Sequence, residues 1–173
     1  VLMPAFNAQR FITWAIESVL SQDYSSFELL IGDDASTDGT RPVILRYRDH
    51  PKVRIYLARR HLGAPAIRNR LIGMARGKYI SICDADDRLA PGSLKWLSSI
   101  LERDRAIGIV HGETRRMGGK KLIKPAWDLR VMGQWNPLGV WGLFFPVPPH
   151  GGSMIRKELI LQVGGYDERY AVS

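Results

Sequence analysis

The sequence has 173 residues, 45% of them hydrophobic, enough for one globular domain with a real core. No apolar run reaches the ~18–20 residues that cross a bilayer, and one cysteine, Cys83, excludes an internal disulfide and suits a reducing compartment. The net charge of +8 points to an anionic partner: nucleic acid, a membrane surface, or a phosphorylated small molecule with a metal. That charge is unevenly placed. Between Arg41 and Lys78 eleven Lys or Arg stand against a single acid, Asp49, whereas Asp33, Asp34, Asp38, Asp84, Asp86 and Asp87 gather in two short clusters. The chain opens at Val1 inside an apolar run, without initiator Met or signal peptide, and stops at Ser173 without a terminating signal. It reads as a piece of a longer protein.

In chain order, Val1–Met3 reads as the end of a buried strand broken by Pro4, and Asn7 as the N-cap of a helix. Phe11, Ile12, Ala15, Ile16, Val19 and Leu20 then form the apolar stripe of that helix. "FELLIGDD" (27–34) is a short strand ending in acid, and "ASTDGT" (35–40) is turn chemistry, with Thr40 as cap of a helix from Arg41–Pro42. "VRIYLA" (53–58) is a third strand, followed by a helix over 64–75 closed by Gly77. "KYISICD" (78–84) is a fourth strand, and a helix from Pro91 carries Leu94, Leu97, Ile100 and Leu101 on one face. "IGIVHG" (107–112) is a fifth strand.

This alternation predicts an α/β fold, a parallel sheet with helices on both faces. Right-handed crossovers bring the carboxyl ends of such strands to one edge, where open α/β sheets bind ligands. Both acidic clusters end a predicted strand and so share that rim. After 112 the rhythm stops. Residues 114–124 suggest a basic hairpin, and 125–150, with three Trp and five Pro, a lid or binding wall, or else a plug over the sheet.

Carboxylates as close as Asp84, Asp86 and Asp87 repel one another, so they need open solvent or a cation. A hard ion such as Mg²⁺ or Mn²⁺ takes one or two protein carboxylates and completes its shell with phosphate oxygens. A solvated turn before Pro91 accounts for the same residues, and both readings stay open on this evidence.

Together, "PAFNAQRFITWAIESVLSQDYSSFELLIGDDASTDGT" (4–40), "HLGAPAIRNRLIGMARGKYISICDADD" (61–87), "IVHG" (109–112) and "GGSMIRKELILQVGGYDERY" (151–170) resemble family 2 of the GT-A-fold inverting glycosyltransferases, which build bacterial polysaccharides and glycolipids. The resemblance implies a Rossmann-like GT-A fold, mostly parallel and incomplete at its C-terminus. It implies one domain over 1–173, with a nucleotide-sugar-binding half (1–112) and part of an acceptor side (113–173). Pro4, Ala5, Phe6 and Asn7 match the segment that lines the uridine pocket, with Phe6 where the family usually has Tyr. Asp34, with Asp33 beside it, matches the acid at the uracil ring, and Arg68 a basic residue near the diphosphate. Asp84, Asp86 and Asp87 match the D-x-D region, with Asp86 and Asp87 for the metal and the direct ligand undecided between them. The general base is expected beyond Ser173, so this stretch should bind donor but transfer sugar poorly.

The implied reaction moves a sugar from a nucleotide-diphospho-sugar, a UDP-sugar first, to a hydroxyl of a glycan or lipid-linked acceptor, with Mn²⁺ or Mg²⁺ and no nucleic acid. The implied location is the cytoplasm, including contact with the inner face of the membrane. Two alternatives compete: a non-catalytic basic α/β module holding polyanions, and a sugar nucleotidyltransferase. The second wants a Gly-rich loop after the first strand, and "PAFNAQRF" has no glycine. His61, beside the Arg68 helix, could approach the diphosphate, and His150 could face an acceptor.

Overall fold

The computed structural model describes residues 1–112 and 152–170. The suggested hairpin at 114–124, the aromatic segment 125–150 and His150 lie outside the described residues. Among these residues there are six strands: β1 (Leu2–Ala5), β2 (Leu29–Asp33), β3 (Val53–Leu57), β4 (Tyr79–Ser81), β5 (Ile109–His111) and β6 (Ser153–Arg156). Five α-helices accompany them among the described residues: α1 (Ile12–Leu20), α2 (Thr40–Leu45), α3 (Ala64–Met74), α4 (Ser93–Arg103) and α5 (Lys157–Gln162). β1, β2 and β3 pair in parallel, in spatial order β1-β2-β3. A parallel bridge from Leu2 to Ile82 joins β1 to the β4 side, where the order is β4-β6-β5.

β6 runs antiparallel to both of its neighbours, so the sheet is mostly and not wholly parallel. Its insertion between β4 and β5 was not legible in the sequence. The four residues "SMIR" carry no periodic signal, and their partners are long-range.

Strand alternation sorts the core into two layers. Met3, Leu29 and Ile31 face Ile12, Ile16 and Val19 of α1, Ile44 of α2 and Leu94, Leu97 and Leu101 of α4. Leu2, Leu30, Ile80 and Ile82 face Ile67 and Leu71 of α3 and Ile160 of α5. The expected helices on both faces are therefore present.

Four local expectations change. β1 continues through Pro4, which pairs with Gly32. Val1 and Ala5 give their carbonyls to β2, and Leu2 gives its carbonyl to Cys83 on the other side. Pro4 shares the phase of Leu2, so its missing N–H falls on the side away from β2 and costs that ladder nothing. Asn7 does not cap α1, which starts five residues later; it has φ +49° and bonds across to another loop. Thr40 is the first residue of α2 rather than its cap, and α3 ends at an extended Ala75 rather than on Gly77.

Candidate nucleotide-binding site at the sheet rim

Because β1, β2 and β3 run the same way and β4 joins them through the parallel Leu2–Ile82 bridge, their carboxyl ends open on one edge. Four segments reach that edge: 4–7 at the end of β1, 33–40 at the end of β2, 58–63 after β3 and 84–87 after β4. The first two are knitted together. Asn7 Oδ1 accepts the Thr37 N–H at 2.9 Å, and the Asn7 N–H donates to Ser36 Oγ at 3.0 Å. Ala8 N–H donates to Thr40 Oγ1 at 2.7 Å and Gln9 N–H to Asp38 Oδ2 at 3.1 Å. The turn after β2 thereby fixes the path between β1 and α1. Pro4 and Ala5 are buried strand residues, while Phe6 is 47% exposed at the mouth.

Asp34 organises the third segment. Only 2% exposed, it accepts the Leu62 N–H at 2.7 Å and the Gly63 N–H at 2.8 Å. His61 Nδ1 lies 2.9 Å from Asp34 Oδ2, and its ring packs on Phe6 with centroids 4.2 Å apart. His61 therefore stands beside Phe6 and Asp34, just ahead of α3. Sequence reasoning missed this wall, since 55 residues separate its two rings.

Asp33 points elsewhere, as successive strand residues must. It is fully buried and takes Arg41 Nε at 2.9 Å and Nη2 at 2.8 Å. Arg41 also donates to the Ala58 carbonyl, tying α2 to the end of β3. Asp33 Oδ1 is buried without a hydrogen-bond partner among the described residues.

At the β4 end, Arg68 Nη2 donates to Asp84 Oδ1 at 2.8 Å. Asp86 and Asp87 are exposed and enter no ion pair among the described residues. Desolvation, then the nearby charges of Asp84 and Asp86, push the Asp87 carboxyl above the usual aspartate range. A divalent cation relieves such repulsion. No three His, Cys, Asp or Glu side chains form a ready cage among the described residues. An ion bound here would take one or two of the Asp84, Asp86 and Asp87 carboxylates, whose hard oxygens fit Mg²⁺ or Mn²⁺, and complete its shell with phosphate oxygens. Cys83 takes no part: burial, then Asp87 and Asp84, push its thiol up to about 12.

Two further acids, neither of them expected as a site residue, follow Tyr166. Asp167 pairs with Arg169, which holds its carboxyl below the usual range, and Glu168 accepts from Asn69. No helix among the described residues is long and apolar enough to cross a membrane.

Comparison with known proteins agrees with this geometry. EpsE of Bacillus subtilis (strain 168) is 37% identical over 173 residues, covering 96% of this chain and 59% of EpsE. The Escherichia coli UDP-Glc:alpha-D-GlcNAc-diphosphoundecaprenol beta-1,3-glucosyltransferase WfgD is 29% identical over 123 residues, 71% of this chain and 48% of WfgD. The chain thus spans about half the length of these curated relatives. Among solved structures, S. aureus TarS 1–349 in complex with UDP matches with a TM-score of 0.79 at 19% identity, covering 99% of this chain and 51% of that one. The mannosyltransferase PcManGT from Pyrobaculum calidifontis, in complex with GDP-Man and Mn²⁺, matches at 0.70 and 20% identity, covering 96% and 46%. These likenesses establish the GT-A fold. The "Glycosyl transferase family 2" model matches residues 1–164, and the chain belongs to that family.

Proposed function

We propose that this chain forms the donor-binding part of an inverting glycosyltransferase that takes a UDP-sugar and a divalent cation, Mn²⁺ or Mg²⁺. The carrying observation is the convergence at one rim of an exposed aromatic, Phe6, the organising acid Asp34, and the Arg68–Asp84 pair beside two unpaired carboxylates. On this reading 1–112 holds the donor and 113–173 belongs to the acceptor side. The acceptor is a hydroxyl of a glycan or a lipid-linked saccharide, met in the cytoplasm or at the inner membrane face. Family membership and the nucleotide complexes of the TarS and PcManGT neighbours support it.

Phe6 and His61 offer a wall for the base, and the loops tied by Asn7 and Asp34 hold the nucleoside end. Arg68 faces the diphosphate and neutralises the charge that grows there as the glycosidic C–O bond breaks. Asp86 and Asp87 would hold the cation, which supplies Lewis-acid stabilisation of the leaving group. The acceptor oxygen attacks the anomeric carbon from the opposite side, nucleoside diphosphate departs, and a carboxylate takes the hydroxyl proton.

Titration calorimetry with UDP tests this. Affinity should fall by about tenfold or more when EDTA replaces Mn²⁺, and again in the Asp86→Asn/Asp87→Asn double variant. Equal affinity with and without the metal would sink the cation's role.

A further inference from the structure

Arg68 meets two partners and leaves one group unmet. Its Nη2 donates to Asp84, its guanidinium lies 5.6 Å from the centre of the Tyr166 ring, and its Nε is buried without a hydrogen-bond partner among the described residues. The ring arrives from far along the chain, on a segment that follows Gly164 and Gly165, both at φ +81°. What holds that segment is the next residue of α3. Asn69 Nδ2 donates to the Tyr166 carbonyl at 2.8 Å and to Glu168 Oε1 at 2.9 Å. Asn69 Oδ1 accepts the Tyr166 N–H at 2.8 Å. One amide thus captures both main-chain groups of Tyr166, which needs a side chain that donates and accepts at once. The approach is close enough to require glycine beside it. A Cβ on Gly165 would stand 2.6 Å from Asn69 Oδ1.

We infer that Asn69 is a positioning residue for the diphosphate end of the donor site. By clamping Tyr166 it fixes the aromatic ring over Arg68, and the covered guanidinium keeps its place on Asp84. Arginine has many rotamers to lose, so a neighbour that restricts it raises the share of protein ready to meet an anion. The clamp and the guanidinium occupy consecutive positions of one helix, so a shift of 164–170 is felt directly at Arg68. The nucleoside end is built from other segments, at Phe6, Asp34 and His61. The inference rests on the reading of Arg68 as a donor contact.

The test compares UDP with uridine, which lacks the diphosphate, by calorimetry in Mn²⁺. Wild type, Asn69→Ala, Gly165→Ala and Tyr166→Leu are used, with hydrogen exchange followed across 164–170. Asn69→Ala and Gly165→Ala should speed that exchange and weaken UDP about tenfold while uridine is unchanged. Tyr166→Leu should weaken UDP similarly. Because Gly165 and Tyr166 approach the clamp from the other side, a failure of Asn69→Ala to fold leaves the test intact. Unchanged exchange, unchanged UDP affinity, or parallel loss of UDP and uridine each overturns the inference. A wild type that binds no UDP overturns the donor-site reading instead, and exchange then decides the clamp by itself.

Discussion

Asp38 gathers three hydrogen bonds, from the Gln9 N–H, the Thr40 N–H and the Thr40 hydroxyl. Burial works to raise its carboxyl, and these donors outweigh burial and hold it below its ordinary value. A carboxyl depressed in the fold contributes stability that is present above its unfolded value, ~3.9, and lost as pH falls through the folded one. Asp38→Asn should therefore lower stability by about 1–2 kcal/mol at pH 7 in urea denaturation. The gap to wild type should begin to narrow as pH falls past the unfolded value, ~3.9, and close once the wild-type carboxyl protonates in the fold. A gap that persists unchanged to pH 2 would show that shape, not charge, holds the turn.

The same scale shows what a sequence can and cannot say about a site. Asp33, Asp34, Asp84, Asp86 and Asp87 were legible as rim acids because strand ends announce themselves. Their individual partners were not. Asp33 is met by Arg41 and Asp34 by the Leu62 and Gly63 amides, because side-chain direction follows backbone angles that neighbouring letters do not encode. Asn7 looked like a cap because its chemistry is cap chemistry. Its amide bonds Thr37 across the rim instead.

Among the elements, Gly32 decides how closely α3 lies on the sheet. A Cβ there would meet Ile67 Cγ2 at 2.5 Å and both Leu71 δ-methyls at 3.2–3.3 Å. Gly32→Ala should cost about 1–3 kcal/mol in urea denaturation, by pushing the helix outward. Because Arg68 rides on that helix, UDP affinity should fall with it; unaltered stability would mean that Ile67 simply rotates away. Strands and long helices were readable from apolar runs and spacing, since each must bury a face. β6 escaped because its Arg156 reads as a surface residue. In the fold that side chain is 6% exposed and donates to the carbonyls of Leu101, Asp104 and Ile107, where α4 ends and leads into β5. A helix end leaves carbonyls unsatisfied, and a cation there is favourable.

For the molecule as a whole, the basic stretch from Arg41 to Lys78 is partly spent on internal pairing. Arg41 is bound to Asp33, Arg54 to Glu28, Arg68 to Asp84 and Lys78 to Glu102. This argues against a dedicated polyanion-binding face. Retention of duplex DNA in a filter assay should vanish between about 50 and 200 mM salt, whereas UDP with Mn²⁺ should change by less than roughly threefold. Tight DNA binding at the higher salt, with no competition by UDP, would favour the polyanion module.

The position of β6 also orders events as the protein is made. Among the described residues β4 and β5 are not paired with each other, and each lies against Ser153–Arg156. A nascent chain that has emerged as far as His111 therefore carries a gap in its sheet, flanked by two raw edges. The strand that fills the gap leaves the ribosome well after β5, and it must slide in between neighbours already waiting. Until Ser153–Arg156 has emerged, β4 and β5 stay open to any foreign strand that could pair with them.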